Sequence, residues 1–372
     1  MNAAAVTNDS LSEVNVQPGT SRRLGLRSQL SALVLLAATL SCANAADVAP
    51  LPAFGADLQH TSVSGLSSGA FMAAQFDVAW SSHLIGAGIV AGGAFDCAGE
   101  SEFIAPAVAA VTLCMQPAGD APSAAGAWRA AQRFAKAGQI DDPANLREQR
   151  IYLFSGAKDT VVATRVVDQA ERFYELAQVP KASIEYQRNP DAGHALITNR
   201  PEDSPCDANK NPFINNCGFE QAHEILRWIY ARPNAPLNAP AALAGGQLQR
   251  FDQREFDPDR HASMADVAYA YVPAECLHAA CAVHVAFHGC VQSADAVGQR
   301  FVRGAGYNEI ADTNRLIVLY PQVEKSAVNP LGCWDFWGYT SPDPDHPNFN
   351  TREAPQMAAV MRMIERLGGA RQ

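Results

Sequence analysis

Several features are scarce or missing in this 372-residue sequence, and each excludes a class of function. Basic residues are few, with 28 Lys and Arg against 38 Asp and Glu and a formal net charge of -10. Nucleic acid and anionic membranes are therefore not expected as partners, because both attract clustered cations. No C-x-x-C or H-E-x-x-H pattern is present, so we expect no metal and no cofactor. An uncharged substrate suits the acidic chain better.

The longest apolar run near the amino terminus, Leu30 to Leu40, is shorter than the roughly 20 residues that a membrane span needs. It follows Arg22, Arg23 and Arg27 and precedes Ala43-Asn44-Ala45, which is the layout of a secretory signal with a small-residue cleavage site. We expect residues 1–45 to be a signal peptide, residues 46–372 to be a single catalytic domain, and the protein to be secreted or periplasmic.

The cysteines independently favour export. Without Cys42 the nine cysteines become an even set of eight, and disulfides are the default in an oxidising compartment. Sequence alone does not fix the connectivity. Short loops favour pairing Cys97 with Cys114, Cys206 with Cys217, and Cys276 with Cys281, which leaves Cys290 with Cys333.

Apolar runs typical of strands alternate with runs typical of helices, and this alternation predicts an α/β fold with a mostly parallel central sheet and helices on both faces. A Pro- and Ala-rich segment at 232–246 predicts an internal linker. The predicted helices are Ala124 to Ala137, Val166 to Ala177, Phe219 to Ala231 and Pro355 to Leu367. The predicted strands are Leu58 to Ser64, Leu84 to Val90, Ile151 to Phe154, Ile184 to Gln187, Val267 to Val272, Ala282 to Phe287 and Leu316 to Tyr320.

The segment Gly65-Leu66-Ser67-Ser68-Gly69 is a G-x-S-x-G motif between the first predicted strand and an apolar run suited to a helix. A serine on a sharp strand-to-helix turn has its hydroxyl lifted clear of the sheet, and a Cβ on either flanking glycine would crowd that turn. Ser67 is therefore the candidate nucleophile. A turn of small residues that matches the motif by chance is the alternative.

A nucleophilic serine needs a base and an acid that orients the base. Asp159 follows the strand Ile151 to Phe154, and His194 follows the next strand in a loop of small residues. Either could be an ordinary loop residue. Together with Ser67, however, they give the Ser, Asp, His order of an α/β-hydrolase, each after a predicted strand.

Stabilising the oxyanion needs two backbone N–H groups, one from Ser68 and one from a loop that normally precedes the nucleophile. Few mature residues precede Ser67. Phe287-His288-Gly289-Cys290 follows a strand far downstream instead, and it has the expected form, although an ordinary strand-ending glycine is the alternative. If the loop has this role, the chain is circularly permuted and the 232–246 linker joins the original ends.

With these motifs and the run Gly332-Cys333-Trp334-Asp335-Phe336-Trp337-Gly338-Tyr339, the mature chain resembles secreted single-domain poly(3-hydroxybutyrate) depolymerases with a circularly permuted α/β-hydrolase fold. The resemblance implies Ser67 as nucleophile, His194 as base, Asp159 as its orienting acid, and an oxyanion hole made by the N–H groups of Ser68 and Cys290. The implied substrate is a hydrophobic polyester or its hydroxyalkanoate oligomers. Many such enzymes carry a further polymer-binding module after the catalytic domain, which is not recognised here, so amorphous polymer or oligomers are expected.

The tryptophans of that run are candidate substrate-binding residues. Trp334 or Trp337, held beside the oxyanion loop by a Cys290 to Cys333 bridge, would offer rigid apolar surface to methyl-bearing ester units, whereas a buried aromatic cluster is the alternative and is favoured for Phe336. Two other functions stay open. One is a feruloyl or acetylxylan-type esterase, and the other is a non-catalytic binding protein on a hydrolase scaffold.

Overall fold

A computed structural model describes residues 48–101, 103–232 and 235–371. The predicted signal segment, residues 1–45, lies outside the described residues. No helix in the described part of the chain is long and apolar enough to cross a membrane.

The main strands coincide with the apolar and β-branched runs of the sequence, which favour a buried sheet. Every strand predicted from the sequence is present, with ends shifted by at most two residues. The strands are β1 (Asp57–Leu66), β2 (Leu84–Val90), β3 (Arg150–Gly156), β4 (Ile184–Asn189), β5 (Leu196–Thr198), β6 (Ser204–Pro205), β7 (Ile214–Asn216), β8 (Gln247–Asp252), β9 (Val267–Val272), β10 (Ala282–Phe287) and β11 (Leu316–Tyr320).

The predicted helices are likewise present. α1 is buried along its whole length, as its nearly uniform apolar composition requires. The helices are α1 (Ser68–Ala79), α2 (Pro106–Thr112), α3 (Ala124–Lys136), α4 (Thr164–Leu176), α5 (Gln221–Tyr230), α6 (Ala294–Val297), α7 (Arg300–Gly304), α8 (Tyr307–Thr313) and α9 (Pro355–Gly368).

Among the described residues, eight strands form one sheet in the order β4-β3-β2-β1-β10-β11-β9-β8. The pairs from β4 to β11 are parallel, and β9 pairs antiparallel with both β11 and β8. The prediction of a mostly parallel α/β sheet is confirmed. The carboxyl ends of β1, β2, β3 and β10 lie at one edge of this sheet, which is where open α/β sheets carry their sites.

The strand that ends at the candidate nucleophile lies between β2 and β10, so its neighbours come from opposite halves of the chain. Gly65 at the end of β1 is in register with Phe287 at the end of β10, and this brings the two predicted loops to the same level. This strand order is the one that the predicted permutation requires. The permutation, the domain boundaries and the role of the linker stay predictions.

Several elements were not predicted from the sequence. β8 lies at the edge of the sheet, where a partly polar strand is tolerated because one side faces solvent. β5, β6 and β7 form a separate three-stranded sheet in a segment whose strands are only two or three residues long. Runs this short carry no periodicity that the sequence could reveal.

The disulfides join the cysteines that loop length favours. They connect Cys97 with Cys114, Cys206 with Cys217, Cys276 with Cys281, and Cys290 with Cys333. The second of these closes the segment around the small sheet. The last one joins the loop after β10 to the aromatic run near the carboxyl terminus.

Candidate active site

Ser67 occupies a strained turn between β1 and α1. Its φ of 58° and ψ of -124° lie in a region that non-glycine residues rarely adopt. The Ser67 N–H donates to the carbonyl oxygen of Val90 at 3.0 Å, which fixes the turn to the end of β2. A serine held this way at a strand end has the geometry of a nucleophile elbow.

The two glycines of the motif are needed for contact between backbones. A Cβ on Gly65 would lie 2.2 Å from the carbonyl oxygen of Gly69, and a Cβ on Gly69 would lie 2.4 Å from that of Phe287. Both distances are far inside van der Waals contact. The glycines therefore allow the turn to close and allow α1 to begin directly against the end of β10.

Asp159 and His194 are hydrogen-bonded to each other. The Nδ1 atom of His194 lies 2.8 Å from Oδ2 of Asp159, and the two side chains are 3% and 0% exposed. The other carboxylate oxygen of Asp159 accepts the N–H groups of Val161 at 2.7 Å and Val162 at 2.8 Å. The carboxylate thus has fixed partners on both oxygens, and the imidazole is held in one orientation with Nε2 left for the substrate side.

One further side chain, Asn209, bridges the loops of this pair. Its Oδ1 atom accepts the N–H groups of Thr160 at 3.0 Å and His194 at 2.9 Å. Its Nδ2 atom donates to the carbonyl oxygens of Lys158 and Asp207, each at 3.0 Å. Sequence analysis missed Asn209, because it lies in a polar loop and no motif marks it.

The loop after β10 is built around a buried neutral histidine. Nε2 of His288 accepts the N–H of Val323 at 3.2 Å, so Nδ1 carries the proton and donates to the carbonyl oxygen of Gly289 at 2.7 Å. Burial lowers the pKa of His288 to about 4. The ring is therefore uncharged at neutral pH, and its role is to hold the His-Gly turn.

Gln292 ties this loop to the neighbourhood of His194. Its Oε1 atom accepts the N–H of Gly289 at 2.7 Å, and its Nε2 atom donates to the carbonyl oxygens of Pro212 at 2.9 Å and Phe213 at 3.1 Å. The ring of Phe213 packs edge-on against the imidazole of His194, with centroids 5.6 Å apart. Gln292 was not predicted either; a buried glutamine two residues after the His-Gly-Cys turn is the only signal that points to it.

In the part of the chain that the structure describes, the two backbone N–H groups predicted for the oxyanion hole have no hydrogen-bond acceptor. Ser68 is the first residue of α1, where N–H groups lack an intrahelical partner and the helix dipole favours negative charge. Within the described residues no acceptor bonds the N–H of Cys290. Both groups are free to donate to a developing oxyanion.

Ser67, His194 and Cys290 all line one cavity of about 440 Å³. Its walls are almost entirely apolar, so it suits a ligand with many methyl and methylene groups and few charges. The residues that complete the lining are Leu66, Ala107, Ala110, Val111, Met115, Val161, Phe213, Gly289, Val291, Val328, Asn329, Pro330, Leu331, Cys333, Phe336 and Trp337.

The two candidate tryptophans have different positions. Trp337 is half-buried and lines the cavity. Trp334 is 0% exposed and does not line it, so of the two alternatives Trp337 is the one that a ligand in this cavity could contact. Its ring packs against Phe287 and His288, with centroids 4.9 and 5.5 Å apart. Through these contacts it supports the end of β10 and the loop that follows.

Phe336 also differs from expectation in part. It is buried, as predicted, with 5% exposure, yet it is also one of the residues that line the cavity. Its ring stacks on Phe71 of α1 with centroids 4.3 Å apart. The aromatic run is held in place by Asp335, whose carboxylate accepts the N–H groups of Trp337, Gly338, Tyr339 and Thr340.

No family model matches the chain. The polyhydroxybutyrate depolymerase of Talaromyces funiculosus is 33% identical over 338 residues, which cover 85% of this chain and 92% of that protein. The chain belongs to the polyhydroxybutyrate (PHB) depolymerase family. The resemblance found in the sequence motifs is thereby confirmed.

Other members of the PHB depolymerase family agree with this assignment. The poly(3-hydroxybutyrate) depolymerase of Delftia acidovorans is 40% identical over 322 residues and 85% of this chain, and the chain spans 61% of the length of that relative. Two solved structures each match with a TM-score of 0.76 and 31% identity, over 87% of this chain and 100% of theirs. One is a PHB depolymerase from Penicillium funiculosum, and the other is a serine-to-alanine variant of a PHB depolymerase complexed with an R3HB trimer.

Proposed function

We propose that the protein is a secreted serine esterase that hydrolyses the ester bonds of poly(3-hydroxybutyrate) or its oligomers. The observation that carries the proposal is the strained turn at Ser67 in the wall of an apolar cavity that also contains His194, which is bonded to Asp159. The family relationship supports the substrate class, because one related structure holds an R3HB trimer.

The reaction begins when Ser67 Oγ attacks the ester carbonyl carbon while His194 Nε2 takes the hydroxyl proton. The N–H groups of Ser68 and Cys290 donate to the oxyanion of the tetrahedral intermediate. His194 then protonates the departing alcohol oxygen, which leaves a hydroxyacyl ester on Ser67. Asp159 holds the imidazole through its bond with Nδ1 and stabilises the imidazolium.

Water completes the turnover. It loses a proton to His194 and attacks the acyl carbon, and the second tetrahedral intermediate collapses to release the hydroxy acid and restore Ser67. Because the reaction proceeds through an acyl-enzyme, none of these steps needs a metal or an organic cofactor.

The cavity rim favours a hydrophobic, poorly soluble substrate. Val111, Val328 and Leu331 line the cavity and are 60%, 66% and 53% exposed, so the apolar surface continues from the interior to the outside. A methyl-bearing polyester can contact both parts without placing charge against them. Secretion is part of the proposal because the disulfides suit an oxidising compartment.

The test compares Ser67→Ala with Ser82→Ala, an exposed serine that does not line the cavity. Release of soluble 3-hydroxybutyrate from amorphous polymer should fall by about four orders of magnitude or more in Ser67→Ala and stay at the wild-type rate in Ser82→Ala. Retained hydrolysis in Ser67→Ala would refute the nucleophile. A wild-type enzyme faster on methyl ferulate than on the polymer would refute the substrate class.

A further inference from the structure

Asn209 lies between β6 and β7, in the loop of the small sheet that packs against both the Asp159 loop and the His194 loop. Its side-chain amide makes the four hydrogen bonds described above. We propose that Asn209 is a positioning residue for hydrolysis, which keeps the Asp159 carboxylate and the His194 imidazole at bonding distance. This inference rests on the proposed function, because it assigns Asn209 a role in that same site.

The bonds of Asn209 fall on both sides of the candidate acid. One goes to the carbonyl oxygen of Lys158, the residue before Asp159, and one comes from the N–H of Thr160, the residue after it. A third comes from the N–H of His194 itself. Because an amide group is planar and all four of its bonding positions are used, any rotation or shift of one loop relative to the other breaks at least one bond.

The segment that carries Asn209 is itself anchored. The disulfide between Cys206 and Cys217 closes it, and Nδ2 of Asn215 donates to the carbonyl oxygens of Cys206 at 3.0 Å and Ala208 at 2.8 Å. A Cβ on Gly193 would lie 2.4 Å from the Ala208 oxygen. The segment therefore packs directly on the backbone beside His194, and its anchoring holds the side-chain amide of Asn209 in place.

A purely structural asparagine would affect folding alone, and Asn314 provides that comparison. Its side chain also makes four hydrogen-bond contacts: Oδ1 accepts the N–H of Asn238, and the two hydrogens of Nδ2 are shared among the carbonyl oxygens of Asn238 and Ile310 and the hydroxyl of Thr313. Asn314 follows α8 and does not line the cavity. Asn314→Ala removes as many hydrogen bonds as Asn209→Ala without touching the site.

The experiment measures the second-order rate at which a fluorophosphonate labels Ser67 in both variants, and KM for a soluble substrate. In Asn209→Ala the rate should fall by about 10- to 100-fold, since small misplacements of catalytic groups cost about this much. KM for a soluble hydroxybutyrate trimer should change by less than about twofold, because Asn209 does not line the cavity. Asn314→Ala should label at the wild-type rate.

Labelling of Asn209→Ala at the wild-type rate, or an equal loss in both variants, would overturn the inference while leaving the proposed function intact. A wild-type protein that fluorophosphonate does not label would overturn both. Hydrogen exchange on the wild type gives a measurement that needs no variant. The amide protons of Thr160 and His194 should be protected, and exchange at the rate of an unstructured peptide would show that the Asn209 bonds do not form in solution.

Discussion

A Cβ added to Gly69 would lie 2.5 Å from the carbonyl oxygen of His288. The first turn of α1 and the end of β10 are thus in direct backbone contact, although 219 positions separate the two residues in the sequence. The turn that carries Ser67 and the loop that carries Cys290 are consequently held against each other without side chains between them. Their relative position depends on the absence of a side-chain methyl group at Gly69.

Gly69→Ala is therefore expected to lower the free energy of unfolding by about 3 kcal/mol, the upper part of the range for overpacking a well-packed interior. Labelling of Ser67 by fluorophosphonate should slow at least tenfold, because the methyl group separates Ser68 from Cys290. Urea unfolding and labelling rates measure the two effects. Gly119→Ala is the control, since nothing lies within 4 Å of a Cβ there; a similar effect in both variants would contradict the contact.

A buried carboxyl group on α1 should make stability depend on pH. Burial raises the pKa of Asp77 to about 7 in the folded protein from its ordinary 3.8. The contribution of Asp77 to the free energy of unfolding is therefore fully present below the pKa of the unfolded chain, and it is lost as pH rises through the pKa of the folded protein. Asp77→Asn keeps an acceptor for the Tyr174 hydroxyl, which donates to Asp77 at 2.9 Å. The difference in the free energy of unfolding between the variant and wild type should shift in favour of the variant by up to about 4 kcal/mol from pH 4 to pH 8. Chemical unfolding at the two pH values measures this, and a difference independent of pH would contradict the shifted pKa.

The disulfides should contribute unequally to activity. The Cys290 to Cys333 bridge closes a loop of 43 positions and joins the loop after β10 to the aromatic run. Replacing both cysteines with serine should lower the free energy of unfolding by about 4 kcal/mol in the chain-entropy model. It should also lower kcat on a soluble ester. Replacing Cys276 and Cys281, which close a loop of 5 positions, should cost about 2 kcal/mol and leave kcat unchanged. Equal kcat values in the two double variants would show that the first bridge does not position Cys290.

Trp337 is the aromatic residue expected to contact substrate. Trp337→Ala should raise KM for a hydroxybutyrate trimer by about threefold to tenfold, the range for one aromatic contact, and Trp337→Phe should recover part of it. Labelling of Ser67 by a small fluorophosphonate should stay near the wild-type rate, because the variant leaves the elbow intact. An unchanged KM for the trimer would remove Trp337 from the binding surface.

Much of the site could be predicted because its residues sit in local patterns. The G-x-S-x-G motif follows a strand and precedes a helix, and the glycine spacing is dictated by contacts at both ends of the turn. Asp159 and His194 each follow a strand in a glycine-containing loop, which is where a parallel sheet gathers its functional residues. Strand order along the chain was therefore enough to expect that they meet.

The supporting residues could not be predicted in the same way. Asn209 bonds residues 15, 49 and 51 positions away, and Gln292 bonds residues 79 and 80 positions away. An amide in a polar loop has no spacing or periodicity that reveals such partners. The sequence left Trp334 and Trp337 as alternatives for a related reason. Both lie in one short aromatic run, and only packing against Phe287 and His288 decides that Trp334 is buried.

The sequence by itself determined the strands of the main sheet other than β8, the turn at Ser67 and the order of the candidate triad, because strand periodicity, glycine spacing and loop position are local properties of the chain. Tertiary structure alone decided which backbones touch at Gly69, which amides hold the loops, and which tryptophan faces the cavity. Those features depend on distances between segments that are far apart in sequence. Such distances are set by close packing of the whole domain.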